Sequence, residues 1–218
     1  MLYVLVDGQY VVNGLREWNA ISFQNTLSDD YEINYVLPMQ KTDIEPIVIS
    51  DTLRILGASL TYPNYNSKIE YCDGPYWTYE NNFATGTFEV KDQPIDFVKS
   101  TLKNIVSSNR YNKEISGASA NVQNTIVSVD TSRINRNTYV NAYNLMADTD
   151  TLNWKFSEGW LVLTRDEMKL VVDAGANYVN AQFEWELLKT EEINNCTTLE
   201  ELNAVDLGYP VPPQPTLV

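Results

Sequence analysis

Hydrophobic positions in the first ninety residues recur mostly with the two-residue period of β-strands. Tyr3-Val4-Leu5-Val6 and Tyr10-Val11-Val12 flank Asp7-Gly8, a dipeptide suited to a tight hairpin turn. From Tyr31 to Leu37 apolar and polar residues alternate until Pro38, as in a half-buried strand stopped by a residue that cannot donate to a ladder. Ile47-Val48-Ile49 and Leu53-Arg54-Ile55-Leu56 are short apolar runs bounded by Pro46, Asp51 and Gly57, and Thr87-Phe88-Glu89-Val90 is a further strand candidate. Tyr62-Pro63-Asn64-Tyr65-Asn66 carries turn chemistry. Short strands with turn residues between them predict a small antiparallel β module, sandwich or barrel-like, over residues 1–92.

The period then changes. From Pro94 onward Ile95, Val98, Leu102, Ile105 and Val106 recur at steps of three or four, with Lys99, Lys103 and Arg110 between them. That is an amphipathic helix, expected to link two modules over residues 93–115, with Asp92 as its cap and Pro94 in its first turn. Gly117 to Asn121 reads as a loop, and Val122 with Ile126 to Val129 as a short hairpin turning at Asn124. A helix is expected over Thr131 to Met146, weakened by Asn135, Asn137, Asn141 and Asn144. Trp154-Lys155-Phe156 and Trp160 to Leu163 flank Ser157-Glu158-Gly159, a hairpin signal with glycine at the left-handed position.

The strongest local signal follows. In Thr164-Arg165-Asp166-Glu167, Thr164 and Glu167 can each satisfy a free backbone N–H, with Leu163 and Met168 placed as a hydrophobic staple. The helix so opened should run from Arg165 to about Asn194, some ~45 Å. A second box, Thr198-Leu199-Glu200-Glu201, opens a short helix ending before Gly208. These elements predict a C-terminal α+β domain over residues 116–208, with a short hairpin and a long helix. Pro210, Pro212, Pro213 and Pro215 predict an extended tail over 209–218. The fold class is therefore α+β.

Composition narrows the chemistry. The 218 residues include 29 acidic and 15 basic side chains, a net charge of −14, and no histidine. A chain without histidine lacks the usual general base, proton shuttle and metal ligand, so His-based triads and zincins are excluded. Cys72 and Cys196 cannot close a zinc site by themselves and are expected as free thiols. No basic surplus exists to neutralise phosphates, so nucleic acid is not expected as a partner. No stretch approaches the length of a membrane span, and the start, MLYVLVDGQY, has no basic n-region. Walker A, dinucleotide, calcium-loop and nucleophile-elbow motifs are all missing. No catalytic residue, cofactor or metal is expected.

Three features could still carry function. The carboxylate pairs Asp29-Asp30, Asp148/Asp150 and Glu191-Glu192 sit in polar stretches, where solvated surface is the default. Tyr76, Trp77 and Tyr79 gather beside Gly74-Pro75 and are the candidate partner-binding residues, since aromatic side chains dominate interface hot spots. Trp154, Trp160 and Trp185 are explained about as well by core packing. Residues 166–206 hold ten acids against two lysines, read first as a solvated face and second as a docking face for a basic partner.

Val127 to Arg133, Trp154-Lys155-Phe156, Leu163-Thr164, Ala176 to Glu186 and Thr197-Thr198-Leu199-Glu200-Glu201-Leu202 resemble a C-terminal domain of unknown function found in tail and tail-fibre-associated proteins of tailed bacteriophages. Tyr178-Val179-Asn180 stands where that domain commonly carries histidine. Tyr62 to Lys68, Gly74-Pro75-Tyr76-Trp77 and Gly86 to Ile95 are similar to the upstream half of such proteins from marine cyanophages. The resemblance covers roughly residues 60–207 and supplies no catalytic residues. It implies a non-enzymatic structural part of a phage tail, at the baseplate, fibre or adaptor level. It also implies contacts with other tail and fibre proteins, and a homo-oligomer with a trimer as the candidate symmetry. Location in the virion after synthesis in the host cytoplasm follows from the same resemblance. A tail-fibre assembly chaperone and a host-glycan-binding module are the alternatives.

Overall fold

In the computed structural model, which describes residues 1–208, the α+β class expected from the sequence is observed. The proline-rich tail 209–218 lies outside the described residues. The chain divides into two compact units, Met1–Gln93 and a second starting at Pro94.

The first unit is built on β1 (Leu2–Asp7) and β2 (Tyr10–Glu17), which pair antiparallel through a Gly8-Gln9 turn, one residue beyond the expected Asp7-Gly8. The next element was not legible as a strand or turn: α1 (Ala20–Asp30) is a helix. Asn19 caps it, accepting from the Ser22 N–H at 3.1 Å, and Ala20, Phe23 and Leu27 bury one face at helical spacing. Trp18 stacks on Phe23 and meets Tyr3 edge-on, which fixes the helix against β1.

Tyr31–Leu37, expected as a strand, joins no ladder among the described residues. Tyr31 caps α1 through its N–H to the Leu27 carbonyl at 2.7 Å, and Ile33 and Leu37 pack into the cluster beneath α1. The alternation marks which side chains turn inward; strand pairing needs a free neighbour that is not there. The remaining strands are β3 (Ile47–Val48), β4 (Leu53–Thr61), β5 (Glu70–Glu80) and β6 (Phe83–Asp92). β4, β5 and β6 run well beyond the short runs seen in sequence, whereas β3 is shorter than its run, and β5 passes through Gly74-Pro75. There the β5–β6 register slips between Asp73 and Tyr76. Gly74 sits at φ +138, and an added Cβ would lie 2.9 Å from the Thr87 carbonyl oxygen.

The sheet order is β2-β1-β4-β6-β5, with β3 paired to β4. Where an all-antiparallel module was expected, the β4–β6 pair is parallel. One face packs Tyr3, Leu5 and Ile55 against Phe23 and Leu27 of α1. On the other, Val4, Val6, Leu56, Ala58 and Ala84 are roofed by Val11 and Leu15 from one edge and Trp77 and Tyr79 from the other. The Tyr79 hydroxyl faces the Val11 backbone N–H without reaching hydrogen-bond geometry. The sheet thus curls toward a barrel while its edges stay unpaired.

The second unit opens with α2 (Ile95–Glu114), capped by Pro94 rather than Asp92, which is the last residue of β6. The expected linking helix is an integral part of this unit. Val98, Leu102 and Val106 are buried, and α2 is tied to a long helix that follows four short strands. These are β7 (Ala118–Val122) and β8 (Thr125–Val129), then, after α3 (Arg133–Leu145), β9 (Thr151–Phe156) and β10 (Gly159–Thr164). The stretch 118–121, expected as a loop, belongs to β7; its turn is Gln123-Asn124, both at positive φ, as a type I′ hairpin requires. α4 (Arg165–Asn195) and α5 (Leu199–Ala204) both start on the predicted capping boxes. Lys99 and Lys103 of α2 reach the carbonyl and side chain of Asn194, at 3.0 and 2.9 Å. Leu163 and Met168, the expected staple, are fully buried in a core with Val127, Val129, Tyr139, Phe156 and Val171.

Candidate functional site

A hollow in the second unit lies where the hairpins β7–β8 and β9–β10 meet the start of α3. It has a volume of about 750 Å³. Its floor is Val129, Tyr139, Trp154 and Phe156, and its rims carry Asp130 and Asn135 on one side and Asn153, Lys155 and Trp160 on the other. Strand periodicity produces this arrangement. Leu152, Trp154 and Phe156 turn inward along β9, as do Leu161 and Leu163 along β10, so Trp160 and Val162 face out. Trp160 is 68% exposed, with the Lys155 ammonium 5.9 Å above its ring. Trp154 packs against Tyr139 at 5.4 Å. Of the tryptophans read as core or recognition, Trp154 therefore lines the floor, Trp160 stands at the rim, and Trp185 is buried on α4.

The cleft's polar groups hold the fold together. Glu158, in the β9–β10 turn, accepts from the Ser128 hydroxyl at 2.6 Å and from its N–H at 3.1 Å. These bonds hold its carboxyl at about 2, well below an ordinary glutamate. Asp130 accepts from the Ser132 N–H at 2.8 Å and the Asn135 amide at 2.7 Å, and the Ser132 bonds above all lower its pKa. The Tyr139 hydroxyl accepts from the Asp130 N–H at 3.2 Å, and burial pushes its pKa up. None of the cleft's acids is left as an unpartnered proton donor or acceptor. Among the described residues no three His, Cys, Asp or Glu side chains gather as a metal site.

Tyr76, Trp77 and Tyr79, in the first unit, do not form one patch. Tyr76 lies on the outer face of β5, where its hydroxyl donates to Asp73 at 2.6 Å, and Lys91 pairs with the same carboxylate. The Lys91 bond chiefly holds Asp73 below, and Asp73 in turn holds Tyr76 above, its ordinary pKa. Trp77 and Tyr79 turn to the opposite face and pack over Val4, Leu56 and Ala84. Period 2 in a strand separates neighbours that the sequence places side by side.

Of the carboxylate pairs, Asp29 and Asp30 stay together, lining a hollow at the end of α1, and the other two each place an acid in a local contact. Asp148 meets Arg165 at 3.1 Å, Asp150 accepts from the Ala147 N–H, and Glu192 pairs with Lys189. Of the ten acids in 166–206, Glu167 and Glu201 are capping groups, Asp173 pairs with Lys169, and Glu186 with Arg110. Cys72 and Cys196 are both free thiols, and burial raises the pKa of Cys196.

Sequence reasoning did not single out Ser128, Asp130, Asn135, Tyr139 or Glu158. The available signal was the outward register of Trp160 against Leu161 and Leu163, which marks a tryptophan displayed rather than packed.

A two-hairpin, four-helix α+β arrangement that holds such a cleft defines the class of the second unit. Residues 98–207 match the domain of unknown function DUF4376, and the chain belongs to that family. No curated protein and no solved structure matches the chain. Among the described residues, no helix is long and apolar enough to cross a membrane.

Proposed function

We propose that this protein is a non-enzymatic structural component of a bacteriophage tail, at the baseplate, fibre or adaptor level, working through protein–protein contacts. The observation that carries the reading is the chemical state of the cleft. Its aromatic floor and exposed Trp160 offer contact area, whereas Asp130 and Glu158 are engaged in hydrogen bonds that join α3 and the hairpins. A general acid–base pair needs groups whose protons are available to a reacting molecule. Here the acids are structural, and exposed aromatic area is what recognition surfaces supply. The sequence resemblance of residues 60–207 to phage-tail proteins supports the setting.

The partners in this reading are other tail and fibre proteins, with further copies of the chain in a ring. Quantitative mass spectrometry of gradient-purified particles beside whole infected lysate tests it. A fixed ratio to the major capsid protein is expected, and its value would give the symmetry. Abundance in lysate with absence from particles would overturn the structural role and leave an assembly chaperone in its place.

A further inference from the structure

The hairpin strands bordering the cleft are treated unequally. In a two-residue hairpin the residues flanking the turn are a hydrogen-bonded pair, and alternate residues direct their main-chain groups away from the partner strand. With Val122 paired to Thr125, the outward groups of β8 and its continuation belong to residues 126, 128 and 130; with Phe156 paired to Gly159, those of the second hairpin belong to 153 and 155 on β9 and to 160, 162 and 164 on β10.

Four of these eight positions are closed by side chains. The Ser128 N–H goes to Glu158 and the Asp130 N–H to Tyr139. The Val162 carbonyl accepts from Gln123 at 2.9 Å, and the Thr164 N–H goes to Glu167 at 2.8 Å. Side chains that occupy outward groups are how folds blunt a strand edge. β9 has no such cover. It pairs only with β10 among the described residues, and Asn153 and Lys155 line the open cleft.

We propose that the β9 edge is a docking site for an extended segment of another protein, which adds to the hairpin as a third strand through the main-chain groups of Asn153 and Lys155. The proposal rests on the contact-making role above and names how one such contact is made. Main-chain donors and acceptors in register are matched by another extended backbone, and strand addition to an open edge is an established mode of recognition. The cleft's 750 Å³ holds about five or six residues of such a segment. Alternate side chains would descend onto Val129, Tyr139, Trp154 and Phe156, so apolar residues are required there. The intervening positions face the rim carboxylate Asp130 on a chain of net charge −14, which favours lysine or arginine there.

The test is selection of a displayed random decapeptide library against the full chain, followed by synthesis of the enriched peptides. Enriched peptides are expected to alternate apolar and basic residues. N-methylation of the peptide amides that face β9 should weaken binding on the order of tenfold per pair of bonds removed. Asn153→Pro, which deletes an outward N–H, should weaken it similarly. Amide hydrogen exchange on the unaltered chain decides the matter whether or not that variant folds: Asn153 and Lys155 should slow when peptide is bound. No enrichment, or bound peptide that leaves those two amides unprotected and tolerates N-methylation, overturns the proposal. Protection of the same amides by rising protein concentration without peptide would assign the edge to a second copy and equally overturn it. A chain found in virions that selects no such peptide would refute this inference alone.

Discussion

Glu158 and Ser128, thirty positions apart, are joined by two hydrogen bonds that fasten the β9–β10 turn onto β8, at 2.6 Å to the hydroxyl and 3.1 Å to the N–H. Both bonds favour the carboxylate, so the folded-state pKa falls from an ordinary 4.5 to about 2. The stabilisation is fully present above the unfolded-state value and is lost as pH falls from about 4.5 toward 2. Glu158→Gln should therefore lower Tm at neutral pH. It should also flatten the dependence of Tm on pH within that window. Thermal melts of both proteins at closely spaced pH values check this, and parallel curves would show that Glu158 is not the group responsible.

Glu114 sits in the most buried charge cluster of the second unit. Its carboxylate pairs with Arg110 and, at 2.7 Å, with Arg136, while Arg110 also meets Glu186 at 2.9 Å and covers the Phe183 ring. Removing one partner of a buried pair leaves the other charges uncompensated, so Glu114→Ala should cost about 3 kcal/mol in denaturant unfolding. Replacing Glu114 and Arg136 together by methionine should cost less than Glu114→Ala, because no unpaired guanidinium then remains there. A double variant at least as unstable as the single would refute the account.

Both capping boxes, the staple and the hairpin turns near Gly8, Asn124 and Glu158 were legible because each depends on a few adjacent residues whose chemistry acts locally. The signals that failed depend on distant partners. Ala20, Phe23 and Leu27 do repeat at helical spacing behind Asn19, a good cap. They lie between stretches with strand patterns, and only their packing against Tyr3 and Leu5 makes the helix worth forming. Tyr31–Leu37 shows the reverse case, a strand pattern with no ladder to join. The candidate site was hidden for a similar reason. Asn153 and Lys155 are ordinary surface residues in sequence, and what distinguishes them is the lack of a cover that Glu158, Tyr139 and Gln123 give to neighbouring edges.

Thr164 and Glu167 form a reciprocal box at the start of α4: each accepts from the other's backbone N–H. Thr164→Ala should cost about 1 kcal/mol. Because the two side chains act as one device, the Thr164→Ala/Glu167→Ala double variant should cost less than the sum of the singles. A double-mutant cycle by urea unfolding measures the difference, and strict additivity would mean that the two caps act independently.

Tyr79 reports on whether the first unit's sheet is open or closed. Its hydroxyl is buried without a hydrogen-bond partner, facing the Val11 N–H across the gap between the two sheet edges, and burial raises its pKa. A buried polar atom left unsatisfied carries a desolvation penalty, and replacing it with a C–H of the same shape removes that penalty. Tyr79→Phe should consequently leave stability unchanged or raise it by up to about 1 kcal/mol. Trp77→Ala, which opens the same roof over Val4 and Leu56, should instead cost about 3 kcal/mol. If Tyr79→Phe proves destabilising by about 1 kcal/mol or more, the hydroxyl makes a true bond to Val11. The two edges would then be coupled, and the sheet would behave as a closed barrel in solution.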